Sequence, residues 1–302
     1  LIIIIGNSYF GPKVAHAINN LNLEKAIYLN TSELIYHKLK FLLLAPFSSV
    51  IYSISASIKL GGALKVALFF KKQLVQHFIG SDVTDAIADF KSNKHSSRLM
   101  ESSRYFTEID WVSREVEFNL PLTTEIVGLP IITESYFQVS HVNRKSENLT
   151  ILCYIGRGKE QFYGIEKLIE VSRIARNVDF IVIGSICSEY HNCSPPNIRY
   201  LGWVDSPQEL MMASDIYLRF TEHDGLPFSV IEALACSKFV IYNHVLPECN
   251  YAQTVEEVIE EIALLKLRID NGQVNKCGRK YSISEYSTVP SSKKIYKKLR
   301  DI

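Results

Sequence analysis

The chain has 302 residues, long for a single core and comfortable for two, so two domains of ordinary size are expected. With 47% hydrophobic and 22% charged residues, its composition is that of a soluble globular protein and excludes a disordered chain. Lys and Arg total 33 against 32 Asp and Glu, so no overall field selects nucleic acid, and partners must be chosen by local sites.

The opening LIIIIG is too short for a signal core or a spanning helix and reads as a first strand. It leads into GNSYFGPK, a loop bracketed by Gly6 and Gly11, with Pro12 suited to the first turn of the helix PKVAHAINNL. This loop lacks G-x-G spacing; an acceptor or phosphate site and a plain strand-to-helix turn are both compatible with it. After the strand KAIYL comes FLLLAPFSSVIYSISASI, which runs without a charge for about the length of a membrane span. Pro46 and the serines break it into a helix end, a turn and a buried strand VIYSI. Peripheral membrane contact through residues 41–72 stays open, because GGALKVALFFKK joins an apolar face to flanking lysines. The next strand, QLVQHFI, runs into GSDVTD and places His77, Ser81 and Asp82 at its carboxyl end, where Ser81 or Asp82 could also cap a helix. IDWVS and TEIVGL complete a first set of strands.

A proline, an extended stretch and a polar run in LPIITESYFQVSHVNRKSENL mark a join. We therefore expect domains at 1–138 and 139–285, and a last helix over 286–302. The second set of strands is LTILCYIG, VDFIVIG, IRYLG, DIYLRF and FVIYN, separated by helical patterns such as GIEKLIEVSRIAR and TVEEVIEEIALLKLR. Such alternation implies doubly wound parallel sheets with ligands at the carboxyl ends of the strands. After the first of these strands, GRGKEQFYG offers Gly156, Gly158 and Gly164 for close backbone approach, with Arg157 and Lys159 as cations. A diphosphate fits; a surface turn with solvated cations is the alternative. A dinucleotide site is disfavoured, because DFIVIGS does not end in the acid that would hold a ribose. Further on, TEHDGL is the exit loop of DIYLRF, and Pro227 opens an apolar helix that nevertheless carries Glu232. Two ribose hydroxyls would satisfy that carboxylate; an exposed polar stripe through Ser229, Glu232 and Cys236 is the other reading. The six cysteines form no C-x-x-C pair and read as reduced thiols of a cytoplasmic protein.

HDGLPFSVIEALACSKFVI resembles the E-x7-E region of GT-B glycosyltransferases, especially glycosyltransferase family four. YIGRGKEQFYGIEKLIE resembles the same family's phosphate-binding loop and helix, NIRYLGWVDSPQELMMASDIYLRF its nucleotide-side segment, and FIGSDV a loop of its N-terminal domain. The resemblance implies an α/β protein of two Rossmann-like domains facing a cleft. It implies transfer of a hexose or related sugar, with retention, from a nucleotide-diphosphate donor to a glycan, lipid or other acceptor. No cofactor and no metal are implied, and no nucleic acid. Glu232 then corresponds to the carboxylate that holds the ribose, Asp224 to the first Glu near the donor sugar, and Arg157 to the arginine on the diphosphate. Gly156, Gly225, Leu226 and Pro227 complete the donor side; Asp224, His77 and Asp82 are the catalytic candidates, and His77 and Asp82, with Gly6, Gly11 and Ser81, fall on the acceptor side. Tyr163 stands where the family has a lysine, so Lys159 would take over that charge, and Ser237 stands where it has a glycine. A catalytically silent GT-B protein that binds a nucleotide sugar or a glycan partner is the alternative that Asp224 and Tyr163 keep open.

Overall fold

Apolar runs with no polar alternation become strands buried on both faces, which is what parallel sheets covered by helices require. In the computed structural model, described over residues 1–130, 132, 135–136 and 148–301, twelve strands form two sheets, and the central ones are of this kind. The first contains β1 (Ile2–Gly6), β2 (Ala26–Tyr28), β3 (Val50–Ile54), β4 (Gln73–Phe78), β5 (Ser103–Thr107) and β6 (Thr124–Ile126). Its order is β2-β1-β3-β4-β5-β6, all parallel, with Ile2 opposite both Ala26 and Val50. The second contains β7 (Leu149–Ile155), β8 (Val178–Gly184), β9 (Ile198–Gly202), β10 (Ile216–Arg219), β11 (Phe239–Tyr242) and β12 (Asn250–Tyr251), in the order β12-β11-β10-β7-β8-β9. The expected α/β class with two doubly wound sheets is borne out.

Chain contacts divide the protein into two compact units. The first is Leu1–Ile131 with Asp224–Leu226 and Tyr286–Ile302, and the second is Ile132–His223 with Pro227–Glu285. The expected boundary between 138 and 139 lies outside the described residues. In the first unit the helix Thr288–Arg300 packs on the helix Phe10–Asn19, and Arg104 donates to the carbonyls of Lys298 and Asp301.

One expected strand is a helix. IDWVS belongs to the helix Asp110–Asn119, whose Val112 and Val116, four apart, are buried; the strand is SRYFT, just before it. The uncharged stretch 41–58 divides as expected into the end of the helix Ile35–Leu44, a short 3-10 turn at Ala45–Phe47, and β3. Among the described residues, no helix is long and apolar enough to cross a membrane. All six cysteines are free.

Candidate functional site

In each sheet the chain leaves one strand outward and returns on its other side, and such a switch point opens a crevice at the strands' carboxyl ends. In the first sheet the switch lies between β1 and β3. A cleft of about 860 Å³ sits there, lined by Gly6, Asn7, Ser53, Ser55, Lys38 and Lys59 among others. Gly6 has a φ of 94°, and a Cβ there would collide with the Ile54 carbonyl oxygen, so only glycine lets the loop leave β1 in this direction. Asn7 Oδ1 accepts from the backbone N–H groups of Tyr9 and Phe10 at 2.9 and 3.0 Å and so holds the start of the following helix. Gly11 is not among the cleft's lining residues; it lies under the Tyr28 ring, where its lack of a side chain is a packing need.

The residues expected on the acceptor side separate. His77 is fully buried in β4, its Nδ1 2.5 Å from the Tyr52 hydroxyl and its ring against Phe106. Burial pulls its pKa down to about 3 and keeps the imidazole neutral. We therefore read it as part of the core, since it is closed to any substrate. Asp82 is buried too, and its carboxylate is engaged: Oδ2 accepts from Ala56 N at 2.7 Å and Oδ1 from Ile79 N at 3.0 Å. Burial raises its pKa to about 6 against the lowering effect of those backbone donors. It ties the exit of β3 to the exit of β4. Ser81 is exposed at the first residue of the helix Ser81–Lys91, and Gly80 takes the N-cap position, so neither Ser81 nor Asp82 does.

Sequence reasoning missed Glu108, which follows β5 at its carboxyl end and is buried. Its Oε2 accepts from Leu226 N at 3.3 Å, and Oε1 has no hydrogen-bond partner among the described residues. Burial drives the carboxyl well above its usual range, the Leu226 amide opposes this, and the nearby charges of Asp82 and Asp224 push it further up. The segment Asp224–Leu226 is held in this first unit at three points. Trp111 Nε1 donates to the Asp224 carbonyl at 2.9 Å, Leu226 N donates to Glu108, and Gly225 lies against the Ile79 carbonyl so closely that a Cβ would collide with it. The loop carrying Asp224 is therefore held through its backbone. The signal in the sequence was positional: a carboxylate directly after a strand, hidden because the strand itself was misplaced.

In the second unit the switch lies between β7 and β10. The loops after them carry the residues expected to hold a donor. Gly156 follows β7 beneath the Tyr163 ring; Arg157 and Lys159 are exposed, with Lys159 Nζ 5.8 Å from the centre of the Phe162 ring. Glu160 Oε1 accepts from Gly158 N at 3.1 Å and from Ser185 Oγ at 2.5 Å, which fixes the loop's turn. That Ser185 bond, assisted by the Arg157 charge, keeps the Glu160 carboxyl below its usual range. A polar cleft of about 540 Å³ is lined by Gln161, Gly164, Lys167, Thr221, Glu222 and Asn243 among others, with Arg157, Lys159 and Glu232 outside its lining. Asn243 closes it by pairing with Thr221 through both amide atoms.

The helix Phe228–Ala235 has Pro227 as its N-cap, one position before the first turn in which it was expected. Ser229 and Glu232 are half-buried and Cys236 is buried, so this side is no solvated stripe. Ser229 Oγ accepts from the buried Tyr217 hydroxyl at 2.7 Å. Tyr217 also bonds Arg219, a second residue that the sequence did not single out. Arg219 is buried at the end of β10 with its guanidinium 5.2 Å from the centre of the Tyr163 ring. A fixed cation thus lies beside the aromatic ring that occupies the expected lysine position. Among the described residues, no group of three or more His, Cys, Asp or Glu is arranged to hold a metal.

Residues 150–263 match the family model of Glycosyl transferases group 1. HepE of Anabaena, whose crystal structure contains UDP and glucose, is 12% identical, with a TM-score of 0.66 over 99% of each chain. A glycosyltransferase from Rickettsia africae ESF-5 is 13% identical, with a TM-score of 0.73 over 99% of this chain and 98% of that one. Sucrose-phosphate synthase from Thermosynechococcus elongatus is 12% identical, with the same TM-score and coverage. No curated protein matches the sequence. The chain has the GT-B fold of glycosyltransferases. The matched segment 150–263 includes both the Arg157 loop and the Glu232 helix.

Proposed function

We propose that the protein transfers a sugar, with retention, from a nucleotide-diphosphate donor bound on the second unit to a glycan or lipid-linked acceptor. The observation that carries this reading is the pairing, inside one family-matched segment, of a cationic loop at one side of the switch point with a half-buried Glu232 on the helix that follows the other side. Glu232 accepts hydrogen bonds from the two ribose hydroxyls, and its charge strengthens them. Arg157, Lys159 and Arg219 offset the diphosphate, so no metal and no cofactor is required for the charge that develops as the donor breaks. UDP in HepE of Anabaena makes a uridine diphosphate the first nucleotide to try.

In the reaction, the bond from the anomeric carbon to the diphosphate oxygen breaks, and a bond to the acceptor oxygen forms on the same face. The acceptor's proton leaves with the nucleoside diphosphate. Asp224 faces the donor sugar in this reading and acts on the way to the transition state. His77 and Asp82 shape the first unit and take no part in the chemistry. The test is a thermal-shift screen over nucleoside diphosphates and their sugars, followed by a product assay on whichever sugar stabilises the chain. Asp224→Asn should lower turnover and leave affinity for the free nucleotide unchanged. A donor sugar that binds tightly and is never consumed, by transfer or by hydrolysis, would favour the silent, binding-only protein instead.

A further inference from the structure

The helix Ile35–Leu44 is inverted relative to an ordinary surface helix, because Phe41 is its only buried residue. Its large apolar side chains point outward: Ile35 is 73% exposed, Tyr36 70% and Leu43 71%, with Leu39 and Leu42 beside them. The 3-10 turn that continues it exposes Phe47, and the end of the neighbouring helix Gly62–Phe69 exposes Phe69, both to 77%. Lys72 Nζ donates to the Pro46 carbonyl and the two helices are in contact, so the exposed turn after the first lies beside the exposed end of the second. Isolated exposed apolar residues are ordinary, but a contiguous set of this size marks an interaction surface.

The charges on this face identify what it meets. From Leu34 to Ser81 the chain has six lysines and no Asp or Glu. Lys59 is paired with Asp89, and Lys72 is engaged at Pro46. Lys38, Lys40, Lys65 and Lys71 remain, and among the described residues none is in an ion pair. A second copy docked through the same face would set lysine against lysine across a two-fold axis. An anionic bilayer satisfies both features at once: leucine and aromatic side chains enter the boundary between headgroups and acyl chains while the lysine stems lie along it with their ammonium groups among the phosphates.

We propose that the face formed by Ile35–Leu44, Ala45–Phe47 and the end of Gly62–Phe69 docks the protein on an anionic lipid bilayer. This docking does not rest on the donor reading. Where both hold, the cleft at the switch between β1 and β3, lined by Lys38 and Phe41 from one of these helices and Leu64 and Val66 from the other, lies next to the bilayer, and the acceptor is lipid-linked.

The experiment is flotation of the intact chain with vesicles of phosphatidylcholine, with and without phosphatidylglycerol. The chain should float with the anionic vesicles and not with the neutral ones, and added salt should release it. The double variant Leu39→Glu/Leu43→Glu should lose at least about tenfold in partitioning, since two apolar side chains that enter the bilayer become charges. Lys65→Gln/Lys71→Gln should lose about fivefold for each lysine. All four side chains are exposed, so both variants should keep the parent's thermal midpoint and its affinity for nucleotide. Equal binding to both vesicle types, or a glutamate variant that floats as the parent does, would overturn the proposal. So would a dimer in sedimentation velocity that Leu39→Glu/Leu43→Glu dissociates, because that would make the face an interface between copies.

Discussion

Asp82 should make the first unit lose stability as pH rises, and the size of the effect follows from its surroundings. The carboxyl is buried and its folded pKa is raised from 3.8 to about 6, because burial outweighs the amides of Ile79 and Ala56. Between those two values the folded state holds a proton that the unfolded state has released. Stability from this group is therefore fully present below the unfolded pKa and is lost as pH rises through the folded one. A difference of about 2 units at about 1.36 kcal/mol each gives a ceiling of about 3 kcal/mol, of which about 2 kcal/mol falls between about pH 4.5 and about pH 7.5. Asp82→Asn cannot titrate, although its amide NH2 must face one of the two backbone donors and costs about 1 to 3 kcal/mol at every pH. The readout is thus the change with pH of the difference between variant and parent, and not the difference at one pH. The chain has two tryptophans, so Trp203→Phe leaves Trp111 as a fluorescent reporter within the first unit. Urea unfolding followed at Trp111 should show Asp82→Asn gaining on the parent by about 2 kcal/mol over that range. A difference that stays flat with pH would show that the Asp82 carboxyl is solvated or otherwise compensated, and the tie between the exits of β3 and β4 would lose its electrostatic basis.

Arg157→Ala should weaken binding of a nucleoside diphosphate by about 1.5 to 3 kcal/mol in calorimetry, the range for a hydrogen bond to a charged group. Lys159→Ala, if it replaces the family lysine, should cost a similar amount, whereas unchanged affinity in both would free the loop from any diphosphate role. Gly225→Ala should loosen the segment 224–226, because its Cβ has no room at the Ile79 carbonyl. Hydrogen exchange at the Leu226 amide, now bonded to Glu108, should speed up, and unaltered exchange would contradict the contact.

The sequence was most readable where one physical cause dominated. Uninterrupted apolar runs such as IIII and LTILCYI could only be strands buried on both faces, and their alternation with helices required parallel sheets. Loops at strand exits followed from that topology, which is how the Arg157 and Asp224 loops could be found before any coordinates. SRYFT mixes polar and apolar residues at an edge of the pattern, so its strand was placed six residues too late, and Glu108 at its exit was lost with it. His77 was placed at the carboxyl end of its strand, on the acceptor side, although it pairs in register with Ile54 inside the sheet; the neighbouring Tyr52 and Phe106 that enclose it come from other strands, which no local pattern reveals. Arg219 reads locally as the polar end of a strand. Its burial beside Tyr163 depends on two segments separated by more than fifty residues meeting at the switch point.

The central claim is that Glu232 holds the ribose of a nucleotide donor. Calorimetric titration of uridine diphosphate and the other nucleoside diphosphates into the intact chain and into Glu232→Gln tests it directly. The account predicts saturable binding by the parent and an affinity about tenfold or more lower in the variant, because the charge that strengthens both hydroxyl bonds is gone while the shape is kept. Equal affinity in parent and variant, with the thermal midpoint unchanged, would contradict it.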